Sequence, residues 1–462
     1  MRLKTKLKHA ASTPQPIHRA LAEKIVYRPI TALKPFLGNP RHHPHAQIAR
    51  LMKSITRGWT NPILIDEAGT ILAGHGRLMA AKRLRLREVP TLTLSGLSED
   101  DKRAIVIADN RLPEGAVWDL KILKGQLQHL IAIDFDVELT GFSTGEIDLI
   151  IDGNSLPQDD ESETVAIELP EFAISRIGDM WECGGHRIIC GNALEQAIYP
   201  ILLGGQLADL VVADPPYNVR IDGHATGNGK IRHREFQMAS GEMSDAEYTR
   251  FFGNSITNVI QFSRDGAIHY VFIDWRHLPE FIAATRPQYS EWKNLLVWNK
   301  TNAGQGSFYR SKHELIGVFK NGEGSHINNF GLGAKGRYRT NVLDYPSVNS
   351  LHPARKGEVQ LHPTVKPVAL IADLIRDCSH RNDIVLDPFG GSGTTLLAAE
   401  RTGRLARLIE IDPLYVDLAI RRWEQASGRA AVLRGTNQTF SEVATARATK
   451  QSLSDLTVGE RR

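Results

Sequence analysis

Two short segments of the chain carry residues that could do chemistry on a nucleotide. Asp214-Pro215-Pro216-Tyr217 follows an apolar run from Leu210 to Ala213, and the segment from Asp387 to Thr395 follows a second apolar run, Ile384 to Leu386. Both runs have the length and composition of buried strands. An Asp-Pro-Pro segment alone is often a loop, and glycine-rich turns after strands are common. The two segments together are far more specific than either one.

The glycine-rich turn is suited to a nucleotide-like ligand, because glycines let backbone N–H groups approach without a Cβ in the way. Gly390, Gly391 and Gly393 supply that approach. The run from Leu405 to Ile409 predicts a further strand that ends at Glu410. Dinucleotide-binding folds place an acid about 20 residues after the glycines, where it binds ribose hydroxyls. We therefore expect Glu410 to bind a ribose.

Two familiar phosphate-binding signatures are excluded or disfavoured by this turn. A Walker loop needs a Lys after its last glycine, whereas Gly393 is followed by Thr394 and Thr395. An NAD-binding fold more usually shows Gly-x-Gly-x-x-Gly. A purely structural turn between a strand and a helix remains the alternative for this segment taken alone.

With both segments in view, residues 175–435 resemble the DNA amino-methyltransferases that use S-adenosylmethionine. The family's cofactor loop, Asp-Pro-Phe-x-Gly-Ser-Gly-Thr, implies cofactor binding by Asp387, Phe389, Gly390, Gly391, Ser392, Gly393 and Thr394. The resemblance also implies that Glu410, Lys366 (in His-Pro-Thr-Val-Lys-Pro) and Asn192 (in Gly-Asn-Ala-Leu) bind the cofactor. The family usually has Asp at the position of Asn192, near the adenine of the cofactor. An Asn can still accept a hydrogen bond there through its amide oxygen.

The order of the motifs is informative, because the tetrapeptide at 214 precedes the cofactor loop at 387. This order resembles the beta class, whose members read their target with a region inserted between the two halves. Residues 300–356 match such an insert, with nine Lys or Arg against three acids. Basic residues that bind phosphates supply affinity, while side chains that reach base edges supply specificity. The DNA-binding candidates are Arg310, Lys312, Arg337 and Arg339. A solvated basic loop is the alternative.

The tetrapeptide has the residue types needed to activate an exocyclic amino group, whose lone pair is delocalised into the base. Asp214 and the carbonyl of Pro215 can accept both amino hydrogens, which pulls the nitrogen toward tetrahedral geometry. Pro215 and Pro216 fix the backbone and remove N–H donors. The target base must leave the duplex stack, and Tyr217 can stack on it. We expect Asp214, Pro215, Pro216 and Tyr217 to be catalytic, with no metal involved.

Within the resembled family, Asp at the first position of the tetrapeptide favours adenine N6, and Ser favours the cytosine amino group. We therefore expect a site-specific adenine methyltransferase acting on double-stranded DNA, with cytosine N4 as the alternative. A catalytically silent DNA-binding or nucleotide-switch protein with the same fold is a second hypothesis. An NAD-type oxidoreductase would not explain Asp-Pro-Pro-Tyr or the basic insert.

A second module precedes these motifs. Predicted strands at 61–66 and 71–73 lead into Gly74-His75-Gly76-Arg77 and then an apolar-periodic helix. A glycine-flanked turn before a helix is a plausible anion site. Residues 23–135 resemble the N-terminal domain of ParB partition proteins, which implies that Gly74, His75, Gly76 and Arg77 bind a nucleoside triphosphate, with Asn110 a weaker candidate. Sulfiredoxins share this fold, but residues 1–182 contain no catalytic Cys. A degenerate module that docks DNA or the methyltransferase is the alternative.

The whole chain of 462 residues predicts two or three domains of ordinary globular composition. We expect a doubly wound α/β Rossmann-like sheet with a separate small α+β domain. The predicted boundaries are a disordered basic tail (1–22), the ParB-like domain (23–135), a linker (136–165), the methyltransferase (166–436) and a polar C-terminal tail (437–462).

Composition also limits what can be expected of the charge, the metal sites and the cellular location of the protein. A formal net charge of +4 is mild, so DNA binding must rest on local patches. The three cysteines lack metal or redox spacing, and His42, His43 and His45 match no common metal site. No apolar run approaches a membrane span, so a cytoplasmic location without membrane contact is expected. The oligomeric state stays open, with a homodimer as one candidate.

Overall fold

The computed structural model describes residues 24–133, 135–152, 172–218, 241–300, 309–330, 338–346 and 365–459. Two compact units divide the chain at Ser143 and Thr144. None of the described helices is long and apolar enough to cross a membrane.

The N-terminal unit is a small mixed sheet with helices beside it. Its elements, in chain order, are β1 (Val26–Pro29), α1 (His45–Arg57), β2 (Ile63–Ile65), β3 (Ile71–Ala73), α2 (His75–Arg83), β4 (Glu88–Thr93), α3 (Glu99–Arg111) and α4 (Leu120–Ala132). The strands lie in the order β1-β4-β2-β3, with β2 and β4 parallel and the other pairs antiparallel. Ile63, Ile65, Ile71 and Leu78 form the centre of its core. This arrangement agrees with the predicted α+β domain.

The C-terminal unit is built on a single large sheet. Its elements begin with α5 (Thr144–Asp152), β5 (Met180–Cys183), β6 (His186–Cys190), α6 (Ile198–Leu203), β7 (Ala208–Ala213), α7 (Asp245–Gln261), β8 (Ser263–Ile273), α8 (Leu278–Thr285), β9 (Glu291–Asn299), β10 (His313–Lys320) and β11 (Val342–Asp344). They continue with α9 (Val368–Cys378), β12 (Ile384–Asp387), α10 (Thr394–Thr402), β13 (Leu405–Glu410), α11 (Pro413–Ser427), β14 (Val432–Leu433), β15 (Gln438–Thr439) and α12 (Phe440–Gly459).

The sheet order among the described residues is β11-β9-β10-β8-β7-β12-β13-β6-β5-β14-β15. The central strands β8, β7, β12, β13 and β6 are parallel, and β10 runs antiparallel between β8 and β9. Helices α6, α7 and α8 pack on one face, and α9, α10 and α11 pack on the other. Because both faces are covered, the central strands are nearly continuous apolar runs. The doubly wound fold is confirmed.

One segment differs from the predicted boundaries, because the predicted linker at 136–165 contains the helix α5. The polar tail at 437–462 contains α12. Phe440 and Val443 of α12 are buried, and the Phe440 ring lies edge-on to Trp181, 5.2 Å between centroids. Only a few apolar side chains hold each helix in place. They are hard to recognise in the sequence, because an acidic stretch follows α5 and α12 contains many polar residues.

A buried ion pair fixes α5 to the rest of its unit. Asp148 Oδ2 lies 2.9 Å from Arg404 Nη1, and the two side chains are 1% and 0% exposed. Arg381 lies 3.3 Å from the other carboxylate oxygen. Two guanidinium groups therefore share one buried acid, and the helix carrying that acid has a fixed position against the end of α10.

We predict that Asp148→Ala lowers the free energy of unfolding of the C-terminal unit by about 3–5 kcal/mol, because Arg404 is left charged and buried without its partner. Urea unfolding followed by tryptophan fluorescence measures this. Glu182→Ala is the control, because its pair with Arg434 is 3.9 Å long and exposed. That control should change stability by less than about 1 kcal/mol. Equal losses in the two variants would contradict the assignment.

Candidate functional site

The site is built along the edge of the sheet where the central parallel strands end. Asp214 follows the end of β7, Asp387 is the last residue of β12, and Glu410 is the last residue of β13. Val385 and Leu386 pair with Leu210 and Val211, which sets Asp214 and Asp387 on neighbouring strand ends. Ligands of open α/β sheets bind outside such carboxyl ends. The sheet thus brings both predicted segments to one place.

The tetrapeptide loop is held by hydrogen bonds to tyrosine hydroxyls. Tyr217 donates from its hydroxyl to Asp214 Oδ1 at 2.6 Å, and Tyr248 of α7 donates to the carbonyl of Pro216 at 3.1 Å. Pro215 is buried, whereas Asp214 and Tyr217 are partly exposed. The carboxylate and the aromatic ring are therefore both fixed at the surface of the site.

Lys366 contacts both the tetrapeptide loop and the glycine turn. Its ammonium is 2.5 Å from Asp214 Oδ2 and 3.2 Å from Glu314 Oε2, and its side chain is 4% exposed. It also lies over the rings of Tyr217 and Phe272. Its carbonyl accepts a hydrogen bond from Thr394 Oγ1 at 3.5 Å. The predicted contact of Lys366 with the cofactor stays a prediction.

Glu314 is a site residue that the sequence analysis missed. It is the second residue of β10, and this antiparallel strand begins at the edge where its parallel neighbours end. Glu314 pairs with Lys366 and with Lys300, which follows the end of β9. Its 8% exposure is low for an acid. An acid directly before the apolar run Leu315 to Phe319 was the available signal.

The charges of this cluster are strongly coupled. Burial raises the pKa of Asp214, Lys366 lowers it, and Glu314 raises it, with a net increase above the usual range. Burial also opposes ionisation of Glu314, but Lys366 and Lys300 outweigh it and lower the pKa to about 2. Burial lowers and the two acids raise the pKa of Lys366, with a net increase. Glu314 and Lys366 are thus charged, while Asp214 is the more basic acid.

The glycine turn is organised by two acids. Asp387 accepts hydrogen bonds from Phe389 N at 2.9 Å and from Thr395 Oγ1 at 2.6 Å. Glu410 accepts from Gly391 N at 2.7 Å and from Asp412 N at 2.8 Å. Burial raises the pKa of both acids to about 7. Each carboxyl group therefore holds part of the turn and still has acceptor capacity for a ligand.

The neighbours of the turn have the chemistry of a nucleoside site. Ser392 accepts from Arg422 Nη1 through its carbonyl at 2.7 Å and its hydroxyl at 3.0 Å, a contact that sequence reasoning did not find. The Phe389 ring packs against Phe251 at 6.3 Å between centroids. Two carboxyl groups, backbone N–H groups and an aromatic ring fit a ligand that has ribose hydroxyls, a purine and positive charge.

Asn192 lies at the end of β6, next to Glu410 across the sheet. Its amide oxygen accepts a hydrogen bond from Leu194 N at 3.0 Å, and Gly191 N donates to the Glu410 carbonyl at 2.8 Å. The amide oxygen therefore caps its own loop. Its predicted contact with the cofactor stays a prediction.

Comparison with known proteins found relatives of both parts of the chain. The sequence profile of the family described as DNA methylase matches residues 208–421, and that of the ParB-methyltransferase HTH domain matches 121–177. The chain is 53% identical over 81 residues to the ParB-like nuclease domain-containing protein YnaK of Escherichia coli K12, covering 17% of this chain and 93% of the relative. It is 28% identical over 237 residues to the putative methylase YubD of the same organism, covering 50% and 86%. A solved M1.HpyAVI–SAM complex aligns with 20% identity and a TM-score of 0.38, covering 51% and 97%.

The chain contains an N6/N4 DNA methylase domain, matched over residues 208–421, together with a ParB-like domain. The predicted resemblances are confirmed, and so is the use of S-adenosylmethionine as the cofactor. DNA is the substrate of this family. The match to an HTH domain at 121–177 covers the whole of the predicted linker at 136–165.

The predicted DNA-binding residues of the methylase fall into three groups. Arg310 and Lys312 are exposed just before β10. Arg339 forms ion pairs with Asp373 and Asp377 of α9, each at 2.9 Å, and its predicted contact with DNA stays a prediction. Arg337 lies outside the described residues.

The predicted nucleotide turn of the ParB-like domain begins α2. Gly74 has φ +97°, a conformation that favours glycine, and an added Cβ there would lie 3.3 Å from Arg77 Nη1. His75 Nε2 accepts a hydrogen bond from Phe36 N at 3.2 Å, and Gly76 packs beside His43. Asn110 donates to the carbonyl of Val106. Nucleotide binding at this turn stays a prediction.

We predict that Gly393→Ala destabilises the methylase unit by about 2–5 kcal/mol, because overpacking of about 1–3 kcal/mol adds to backbone strain of about 1–2 kcal/mol. Gly393 has φ +83°, and an added Cβ would lie 2.7 Å from the Ala419 Cβ of α11. Gly428→Ala is the matched control, because its φ is +68° with nothing within 4 Å of the added carbon. The control should show the backbone strain of about 1–2 kcal/mol alone. Urea unfolding of both variants measures the difference, and a larger loss in the control would refute the packing argument.

Proposed function

We propose that the protein transfers a methyl group from S-adenosylmethionine to N6 of adenine within a specific DNA sequence, after the base has been flipped out of the duplex. The observation that carries this is the Asp214 carboxylate, fixed by Tyr217 and Lys366 on the strand end next to the glycine turn. When bound, the cofactor supplies an activated methyl group, whereas residues of this chain bind and orient the base and take up its proton.

Asp214 and the Pro215 carbonyl would accept hydrogen bonds from the two amino hydrogens of the base. Tyr217 and Lys366 already hold the Asp214 carboxylate, so little reorganisation of this acceptor is needed when positive charge develops on the nitrogen. Asp214 then takes the proton that the nitrogen loses. Tyr217 would stack on the flipped base, which offsets part of the few kcal/mol needed to extrude it.

Adenine is the proposed base because Asp occupies the first position of the tetrapeptide. Cytosine N4 presents the same amino group to the same acceptors and is the second candidate. The Lys312 carbonyl accepts a hydrogen bond from Lys300 N at 2.8 Å, which places Lys312 beside Glu314 and the rest of the site. DNA would therefore approach along the edge that carries Lys312 and Arg310. Exposed cations at this position can bind the phosphates that flank a flipped nucleotide.

We predict that Asp214→Ala lowers the methylation rate at least ~10²-fold, as loss of one preorganised polar group does. Wild-type and variant protein are expressed in a host lacking DNA methylation, and methylated nucleosides in the digested DNA are quantified by mass spectrometry. N6-methyladenine with wild type alone supports the proposal. N4-methylcytosine would change the base and keep the mechanism.

Asp214→Asn is the matched variant, because it keeps the size of the side chain and can still accept one hydrogen bond through its amide oxygen. It should retain more activity than Asp214→Ala and less than wild type. Near-normal methylation by the alanine variant would remove Asp214 from its role. Absence of any modified nucleoside from folded wild-type protein would favour the silent DNA-binding alternative.

We predict that Glu410→Gln weakens S-adenosylmethionine binding about tenfold, because hydrogen bonds to a charged acceptor contribute about 1.5–3 kcal/mol. The ionised form must accept the ribose hydroxyls, and the pKa of Glu410 is raised to about 7 by burial. Affinity of the wild type should therefore rise as the pH increases through about 7, and the variant should lose part of that rise. Calorimetric titration at several pH values measures the affinity and its pH dependence. The control is Glu442→Gln, a change at an exposed residue of α12. Equal affinities would place the ribose elsewhere.

A further inference from the structure

Four side chains of alternating charge line the catalytic part of the site, and the middle two, Lys366 and Glu314, are the least exposed. Asp214 contacts Lys366 at 2.5 Å, Lys366 contacts Glu314 at 3.2 Å, and Glu314 contacts Lys300. We call these four residues the charge chain. They come from β7, the segment before α9, β10 and the end of β9. Of the four residues of the charge chain, Asp214 is the one to which the proposed reaction gives a chemical role.

A merely structural role explains the charge chain poorly. Lys366 is 4% exposed and Glu314 is 10% exposed at the side chain. Taking such groups out of water costs several kcal/mol per ion, and apolar residues of similar volume often stabilise a fold as well or better. Lys366 also splits its contacts between two acids, which leaves Asp214 without an exclusive partner.

We propose that Glu314 and Lys366 are positioning residues that set the proton affinity of Asp214. Lys366 keeps Asp214 ionised and aimed at the amino group, and Glu314 draws the ammonium partly away so that the carboxylate remains a strong acceptor. Lys300 neutralises Glu314 and thereby holds it in the ionised form. This inference rests on the proposed function, because it describes how the proposed acceptor is tuned.

The proton balance of the reaction makes this tuning useful. As the amino nitrogen forms its bond to the methyl carbon, the methyl–sulfur bond breaks and the nitrogen becomes cationic. The nitrogen then loses one proton, which the Asp214 carboxylate takes. A carboxylate held tightly by a single ammonium would be a weaker base and would compete less well for the amino hydrogens. Sharing the ammonium with Glu314 avoids this.

Several other groups face Asp214 among the described residues. Tyr217 donates to it from the same loop, and Tyr248 of α7 and Asp387 of β12 are close enough to interact with its charge. The tyrosines stay neutral, because burial raises the pKa values of both well above the usual range. Lys366 and Glu314 therefore exert the strongest opposing charge effects on Asp214.

The test is the pH dependence of the single-turnover methylation rate, measured with unmethylated genomic DNA and saturating S-adenosylmethionine. The rate should fall as the pH decreases through the pKa of Asp214, because the protonated acid can no longer take a proton. Glu314→Gln removes a negative charge and should move this acid limb to lower pH by about one unit. Lys366→Met removes a positive charge and should move it to higher pH by a similar amount. Lys300→Met should move it in the same direction as Lys366→Met, by less.

The matched control is Glu291→Gln. Glu291 also lies between two lysines on β9 and β10, 2.9 Å from Lys293 and 3.5 Å from Lys320, but at the opposite ends of these strands. Its substitution should leave the acid limb where it is. Circular dichroism and thermal unfolding show which variants fold, and the Lys300→Met variant replaces any partner that does not.

Opposite shifts for Glu314→Gln and Lys366→Met would support the inference, since lost packing would not reverse the sign. Shifts in the same direction, or unchanged limbs in folded variants with lower rates, would overturn it and leave both residues structural. If wild type methylates DNA and Asp214→Ala does not, the proposed function stands whichever result is found. If wild type makes no methylated nucleoside, the proposed function fails first.

Discussion

The ammonium of Lys366 is the point on which the catalytic part of the site depends. It joins acids that are 100 residues apart in sequence, Asp214 and Glu314, and it approaches both from a third segment. Removing any one member of such a buried group leaves an uncompensated charge in a poorly solvated place. The loop after β7, the start of β10 and the segment before α9 must therefore adopt their positions together, and the catalytic carboxylate is aimed only when they do.

The sheet supplies the second constraint. Parallel strands deliver their last residues to one edge, and an antiparallel strand delivers its first residues to that same edge. Asp387 and Glu410 use the first route, whereas Glu314 uses the second. Apolar side chains pack on both faces of the sheet. A shift of the strand pairing by one residue would move every side chain of that strand to the opposite face, where it does not fit its neighbours. The register that protects the core is thus also the register that sets the spacing of the acids.

Much of the site was predictable because its parts are local. The tetrapeptide at Asp214, the glycine turn and Glu410 each combine a strand with the residues that directly follow it, and short-range pattern identifies such units. Glu314 and the ion pair between Lys366 and Asp214 were not predictable in this way, since an ion pair between distant segments leaves no spacing in the sequence. The ion pairs that Arg339 forms with α9 leave no such spacing either. Helix α5 depends on Asp148 meeting Arg404, which is equally invisible to pattern.

The two halves of the site treat charge differently, and the proposed chemistry gives a reason. The acids at the glycine turn, Asp387 and Glu410, are held mainly by backbone and hydroxyl donors. The acids of the catalytic half are matched by Lys366 and Lys300. Methyl transfer moves positive charge from the sulfur of the cofactor to the nitrogen of the base. Acids without a cationic partner favour the charged cofactor before transfer, and that attraction is lost once the sulfur is neutral. The catalytic half can then accept the new charge as a single proton on Asp214, because Glu314, Lys366 and Lys300 keep their own charges throughout.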